Sequence, residues 1–121
     1  MPKLTINAQT YEVTAGTRLV NAIEDNGVSI GHRCGGKARC ATCRVVFVSG
    51  EPNDMTTAEH AKLVDKGIYG EARLSCQILV NDDMSVVPQM TLDTVPDWSD
   101  TGPRCIDAIE PDPEFITKPA I

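Results

Sequence analysis

The chain has 121 residues, 41% hydrophobic and 23% charged, enough for one domain with its own core, and no apolar run approaches the roughly 18–20 residues a spanning helix needs. Its net charge of −6 is uneven: residues 1–88 carry ten acids against nine bases, and residues 89–121 carry seven acids against two. The body is thus nearly neutral and lacks the basic stripe with interleaved aromatics expected of a nucleic-acid binder.

The first residues, MPKLTINAQTYEV, contain no apolar signal-peptide region of about 7–15 residues. The expectation is a soluble, cytoplasmic protein with no membrane association, present as a monomer or weak dimer. KLTINAQTYEV alternates, with Leu4, Ile6 and Ala8 on one parity and Tyr11 and Val13 on the other. That pattern predicts a strand, a turn near Ala8–Thr10 and a second strand. GTRLVNAIEDNG predicts a helix in which Thr17 is the N-cap, Leu19, Ala22 and Ile23 share a face, and Gly27 ends the last turn. RVVFVSG is β-branched and aromatic and predicts a strand. TTAEHAKLVDKG predicts a second helix, capped by Thr56 or Thr57 and ended by Gly67. EARLSCQILV reads as one strand, NDD as a turn and MSVVP as a last strand. The order β-β-α-loop-β-α-β-β is that of an α+β domain over residues 1–88. Six of the eight prolines lie at or after Pro88, and no periodicity survives beyond it. Residues 89–121 are therefore read as an acidic tail, disordered or partly docked through Trp98, Ile106, Ile109, Phe115 and Ile116.

Three thiols fall within HRCGGKARCATC: Cys34, Cys40 and Cys43, spaced C-x5-C-x2-C, with Cys76 following after 32 intervening residues. A buried structural role suits one cysteine better than three in a polar, glycine-rich loop. Structural zinc usually takes two short pairs of ligands, and only Cys40 and Cys43 form one. A [2Fe–2S] cluster needs four thiolates and a tight loop whose backbone approaches the sulfides. Gly35, Gly36, Ala38, Ala41 and Thr42 suit such a loop. The cluster reading accounts for the four cysteines and the glycines together.

On these residues, and on RLSCQI and DDMSVVP, the sequence resembles the [2Fe–2S] ferredoxins of the β-grasp (ubiquitin-like) fold. The C-x5-C-x2-C spacing is similar to the adrenodoxin-like branch. The resemblance covers residues 3–88 and implies a mixed sheet with a helix packed across it and a surface cluster loop. It implies one [2Fe–2S] cluster, with Cys34 and Cys40 on one iron and Cys43 and Cys76 on the other. It also implies a one-electron carrier, not itself an enzyme, working between a donor reductase and an acceptor. A redox-sensing module and a zinc-stabilised interaction domain are the alternatives. Between Gly31 and Gly50 stand four cations, Arg33, Lys37, Arg39 and Arg44, and no acids. Such a loop favours the reduced cluster and steers an acidic partner, and the acidic tail can compete for it. His32 and His60 are weaker candidate ligands, since they would have to displace cysteines that already fit. Cys105 has no second thiol nearby and reads as a buried, non-ligating residue.

Overall fold

The structure is a computed structural model and describes residues 2–32, 35, 42–91, 94–95, 102, 105–110 and 113–117. Strands β1 (Lys3–Ile6) and β2 (Gln9–Glu12) form a hairpin in the register Leu4↔Tyr11 and Ile6↔Gln9. Its turn is Asn7–Ala8, earlier than the alternation predicts. Both residues have positive φ, 50° and 71°, the left-handed pair that a two-residue hairpin turn requires. Strands β3 (Thr17–Arg18), β4 (Arg44–Ser49), β5 (Asp54–Thr56), β6 (Arg73–Leu74), β7 (Leu79–Val80), β8 (Met84–Pro88) and β9 (Phe115–Thr117) complete the set, with helices α1 (Leu19–Asp25) and α2 (Thr57–Asp65).

The main sheet has the order β2-β1-β8-β4-β6, with β1 and β8 parallel and the other pairs antiparallel. Alternation along the strands sends Leu4, Ile6, Met84, Val86 and Val45 inward, all at most 5% exposed. Leu19, Val20, Ala22 and Ile23 of α1 join them in one aliphatic core. This is the mixed sheet with a helix across it that the resemblance implies. The opposite face leaves Val46, Val48 and Val87 exposed.

Two local predictions change, and the tail supplies an element with no local signal. Thr17 does not cap α1: the N-cap is Arg18, with no side-chain cap. Pairing of Thr17 with Val80 and Arg18 with Leu79 draws Thr17 into β3. Its hydroxyl donates to the Thr14 carbonyl at 2.7 Å, and the Leu19 N–H is taken by the Ile78 carbonyl at 2.8 Å. Next, the apolar run EARLSCQILV is not one strand. It breaks at a 3₁₀ turn, Ser75–Gln77, because β6 pairs with β4 while β7 pairs with β3 in a different sheet. Finally, the tail contributes a strand, β9, antiparallel to β5 with Met55 opposite Ile116. Cys105 and Ile109 are buried, whereas Ile106 and Phe115 remain about half exposed. Trp98 lies outside the described residues.

Helix α2 begins as predicted at Thr56, whose hydroxyl oxygen accepts from the Glu59 N–H at 3.1 Å. The Glu59 side chain is fully buried and points to β6. It accepts from Arg73 Nε at 2.7 Å and Nη2 at 3.1 Å, and from the Leu74 N–H at 2.9 Å. Arg73 also donates to Glu51, to the Pro52 carbonyl and to the Asp54 carbonyl at 2.9–3.2 Å. All five guanidinium N–H donors therefore have an acceptor. Burial raises the Glu59 carboxyl above its ordinary value, and Arg73 and the Leu74 N–H pull against it. Burial alone would lower Arg73, but Glu59 and then Glu51 outweigh it and hold the guanidinium above its ordinary value.

Removing one partner strands a buried charge. Arg73→Met is expected to lower stability by about 3–5 kcal/mol at pH 7.5, and Glu59→Leu with Arg73→Met to recover about half of that loss or more. Without Arg73 the folded pKa of Glu59 climbs further above its unfolded value. The penalty of Arg73→Met should then shrink as the pH falls from about 7.5 to about 5. Guanidinium denaturation followed by circular dichroism at the two pH values measures both effects.

Candidate metal centre

Two of the four predicted ligands, Cys43 and Cys76, lie within the described residues. Cys34 and Cys40 lie outside them, as do Arg33, Lys37 and Arg39. Cys43 immediately precedes β4, and Cys76 is the middle residue of the 3₁₀ turn that follows β6. Because β4 and β6 pair with Arg44 opposite Leu74, the next step along the ladder brings Cys43 beside Ser75. Ser75 secures that step twice. Its N–H donates to the Cys43 carbonyl at 3.2 Å and its hydroxyl to the same oxygen at 2.7 Å. Two thiols separated by 32 residues thus sit on backbone segments joined by hydrogen bonds, with Cys43 2% and Cys76 0% exposed.

The turn carrying Cys76 is gripped from other sides. Arg18, itself buried, donates from Nε to the Cys76 carbonyl at 2.6 Å. Its Nη1 donates to the carbonyls of Ile106 and Ala108 in the tail at 3.0 and 3.1 Å. Asn21 Nδ2 donates to the carbonyls of Cys105 and Ile106 at 3.2 and 3.3 Å. Gln77 Nε2 donates to Cys76 Sγ at 3.5 Å and to the Glu110 carbonyl at 2.7 Å. Residues 105–110 are thereby tied by three side chains to α1 and to the turn that holds Cys76.

The start of the cysteine loop is anchored as well. Ile30 bridges to Thr91, the Gly31 N–H donates to the Met90 carbonyl at 2.9 Å, and His32 Nε2 contacts Glu24 Oε2 of α1. A turn closes from the Gly35 N–H to the His32 carbonyl at 2.8 Å, with Gly35 at φ +70°. This is left-handed backbone that a glycine adopts without penalty. The two histidines considered as ligands have other contacts, His32 with Glu24 and His60 edge-on with Tyr69 at 5.0 Å between ring centroids. Cys105, a residue of the tail, is buried in the hydrophobic core, 3% exposed.

No local motif marks Ser75, Gln77 or Arg18 in the sequence. Each is a polar residue within or beside an apolar run, and that placement is the available signal. Such a residue is buried with its neighbours and must find partners there.

A family model described as a 2Fe-2S iron-sulfur cluster binding domain matches residues 4–81. The chain belongs to this family. A 2Fe-2S ferredoxin of Pseudomonas aeruginosa is 33% identical over 93 residues, covering 70% of this chain and 80% of the relative. One component of the Na(+)-translocating NADH-quinone reductase of Shewanella denitrificans is 38% identical over 74 residues, which are 60% of this chain and only 17% of that protein. Among solved structures, the ISC-like [2Fe–2S] ferredoxin FdxB of Pseudomonas putida superposes with a TM-score of 0.60 at 27% identity. The match covers 72% of this chain and 91% of that one. The fold is the β-grasp ferredoxin fold, and its cofactor is one [2Fe–2S] cluster. The residues present suit it. A buried pair of thiol-bearing segments with an amide N–H directed at one sulfur is the donor set and hydrogen bonding that a thiolate ligand calls for.

Ser75→Ala removes the shorter of the two bonds to Cys43 and leaves the backbone bond. The expected result is a loss of about 1 kcal/mol and faster bleaching of the visible absorbance in guanidinium, with an unchanged starting spectrum. Bleaching at the wild-type rate would show that the hydroxyl contributes nothing to holding the two segments.

Proposed function

We propose that the chain is a one-electron carrier, working in the cytoplasm between a donor reductase and an acceptor enzyme, with its cluster held by Cys34, Cys40, Cys43 and Cys76. The observation that carries this reading is the Ser75–Cys43 link. It joins the segment with three cysteines to the turn with the fourth, as a cluster held by all four requires. When bound, the cluster would supply a one-electron couple. The chain's own residues do the rest. The β4–β6 ladder and Ser75 fix the spacing of two ligands. Arg18 and Gln77 fix the turn around Cys76. The cations Arg33, Lys37, Arg39 and Arg44 favour the state with the added electron and draw in an acidic partner surface. A reductase is the natural donor, since in one relative the matched segment forms part of an NADH-quinone reductase.

A second reading, redox sensing, is favoured by one contact: Gln77 touches both Cys76 Sγ and the tail carbonyl of Glu110. It expects limited proteolysis within residues 92–121 to change rate on reduction, whereas a simple carrier expects the same cleavage rate in both states.

The carrier reading predicts that aerobically purified protein is red-brown, bleaches with dithionite, and contains two irons and no zinc per chain. Serine at any of Cys34, Cys40, Cys43 or Cys76 should abolish or strongly deplete the native spectrum, and Cys105→Ser should leave it intact. A potentiometric titration should place the midpoint above the roughly −400 mV of plant-type ferredoxins. A colourless protein with one zinc, or a full spectrum in Cys76→Ser, would overturn the assignment.

A further inference from the structure

We propose that Gln77 is a positioning residue that sets the reduction potential of the cluster through its amide hydrogen bond to Cys76 Sγ. This inference rests on Cys76 being a ligand. The orientation of the amide is dictated by its neighbours. Thr56 Oγ1 accepts the Glu59 N–H at 3.1 Å, so its own proton is left to be donated, and it lies 2.7 Å from Gln77 Oε1. On the other side stands the Glu110 carbonyl, 2.7 Å from Gln77 Nε2. A carbonyl only accepts. The two neighbours therefore decide which end of the amide is oxygen and which is nitrogen. The nitrogen has two protons: one goes to Glu110 and the other faces Cys76 Sγ at 3.5 Å.

The amide is locked as well as oriented. Gln77 is 1%, Thr56 1% and Cys76 0% exposed, so water does not compete for these groups. Thr56 is the N-cap of α2, and Glu110 belongs to the tail segment held by Arg18 and Asn21. The donor on the sulfur is thus fixed by one residue on each side, from parts of the chain far from the cysteine loop. An N–H aimed at a ligand sulfur stabilises negative charge there, and more so after an electron is added. In a site this dry the interaction is little screened. Gln77 should therefore raise the midpoint, and the tail should contribute to it indirectly by holding Gln77 in place.

The test is a dithionite titration of the loaded full-length protein with redox mediators, comparing wild type with Gln77→Met and Gln77→Glu. Methionine keeps the volume and removes the donor. Glutamate keeps an acceptor for Thr56 and, when ionised, has no proton to give. Both midpoints should shift to more negative potential, and the shift of the Fe–S(Cys) stretching bands on transfer to D2O, read by resonance Raman, should be smaller than in wild type. Thr56→Ser retains the hydroxyl and should keep the wild-type midpoint. A wild-type midpoint in whichever Gln77 variant loads would overturn the proposal. That outcome is distinct from failure of the ligand assignment, which Cys76→Ser reads directly as a retained native spectrum.

Discussion

The Glu59 carboxylate is buried completely and accepts three hydrogen bonds, two from Arg73 and one from the Leu74 backbone. It thereby fastens α2 to a strand of only two residues. Such a strand makes few ladder bonds of its own, and the clamp adds to the bonds of Ser75 in defining where β6 ends. Its end matters because the next residue, Ser75, begins the turn that carries Cys76 to the side of Cys43. A charged pair is a costly way to hold a strand, since both ions give up hydration. Here the five donors of Arg73 are matched by carboxylates and carbonyls of residues 51–59, so the same group also organises the loop leading into α2.

A second set of buried polar side chains performs the corresponding task on the other side of the turn. Arg18, Asn21 and Gln77 all donate to tail carbonyls, and two of them also touch Cys76. The tail supplies acceptors and the body supplies donors. This complementarity explains how a proline-rich segment without periodicity can still be held in place: its backbone carbonyls, unpaired in any ladder, are the groups the buried side chains need. Strand β9 continues the same logic by pairing with β5, immediately before α2.

Several features were legible because they are local. The helix over TTAEHAKLVDK begins with a hydroxyl three residues before a glutamate, and Thr56 does cap the Glu59 N–H. The usual reciprocal bond is missing because Arg73 and Leu74 engage the Glu59 carboxylate, and no local pattern announces a partner fourteen residues away. Thr17 failed as a cap for a similar reason, since β7 drew it into a strand. The run EARLSCQILV looked continuous because both halves are buried. A run of apolar residues does not reveal that its two halves pair with different strands.

The cysteine spacing, with the glycines around it and the family resemblance it carries, pointed to the chemistry. Three thiols spaced C-x5-C-x2-C, glycines that allow the loop to turn tightly and a fourth cysteine in RLSCQI point to a cluster-binding domain because ligand geometry depends on covalent reach, which spacing records directly. The alternating and helical patterns likewise determined an α+β core. Only the tertiary structure decided which polar residues surround Cys76, where the run EARLSCQILV breaks, and that the tail lies against the turn that carries Cys76. Apart from the bond between the adjacent Gln77 and Cys76, those outcomes depend on hydrogen bonds between groups 14 to 90 residues apart, whose partners are chosen by burial in three dimensions and leave no periodic trace along the chain.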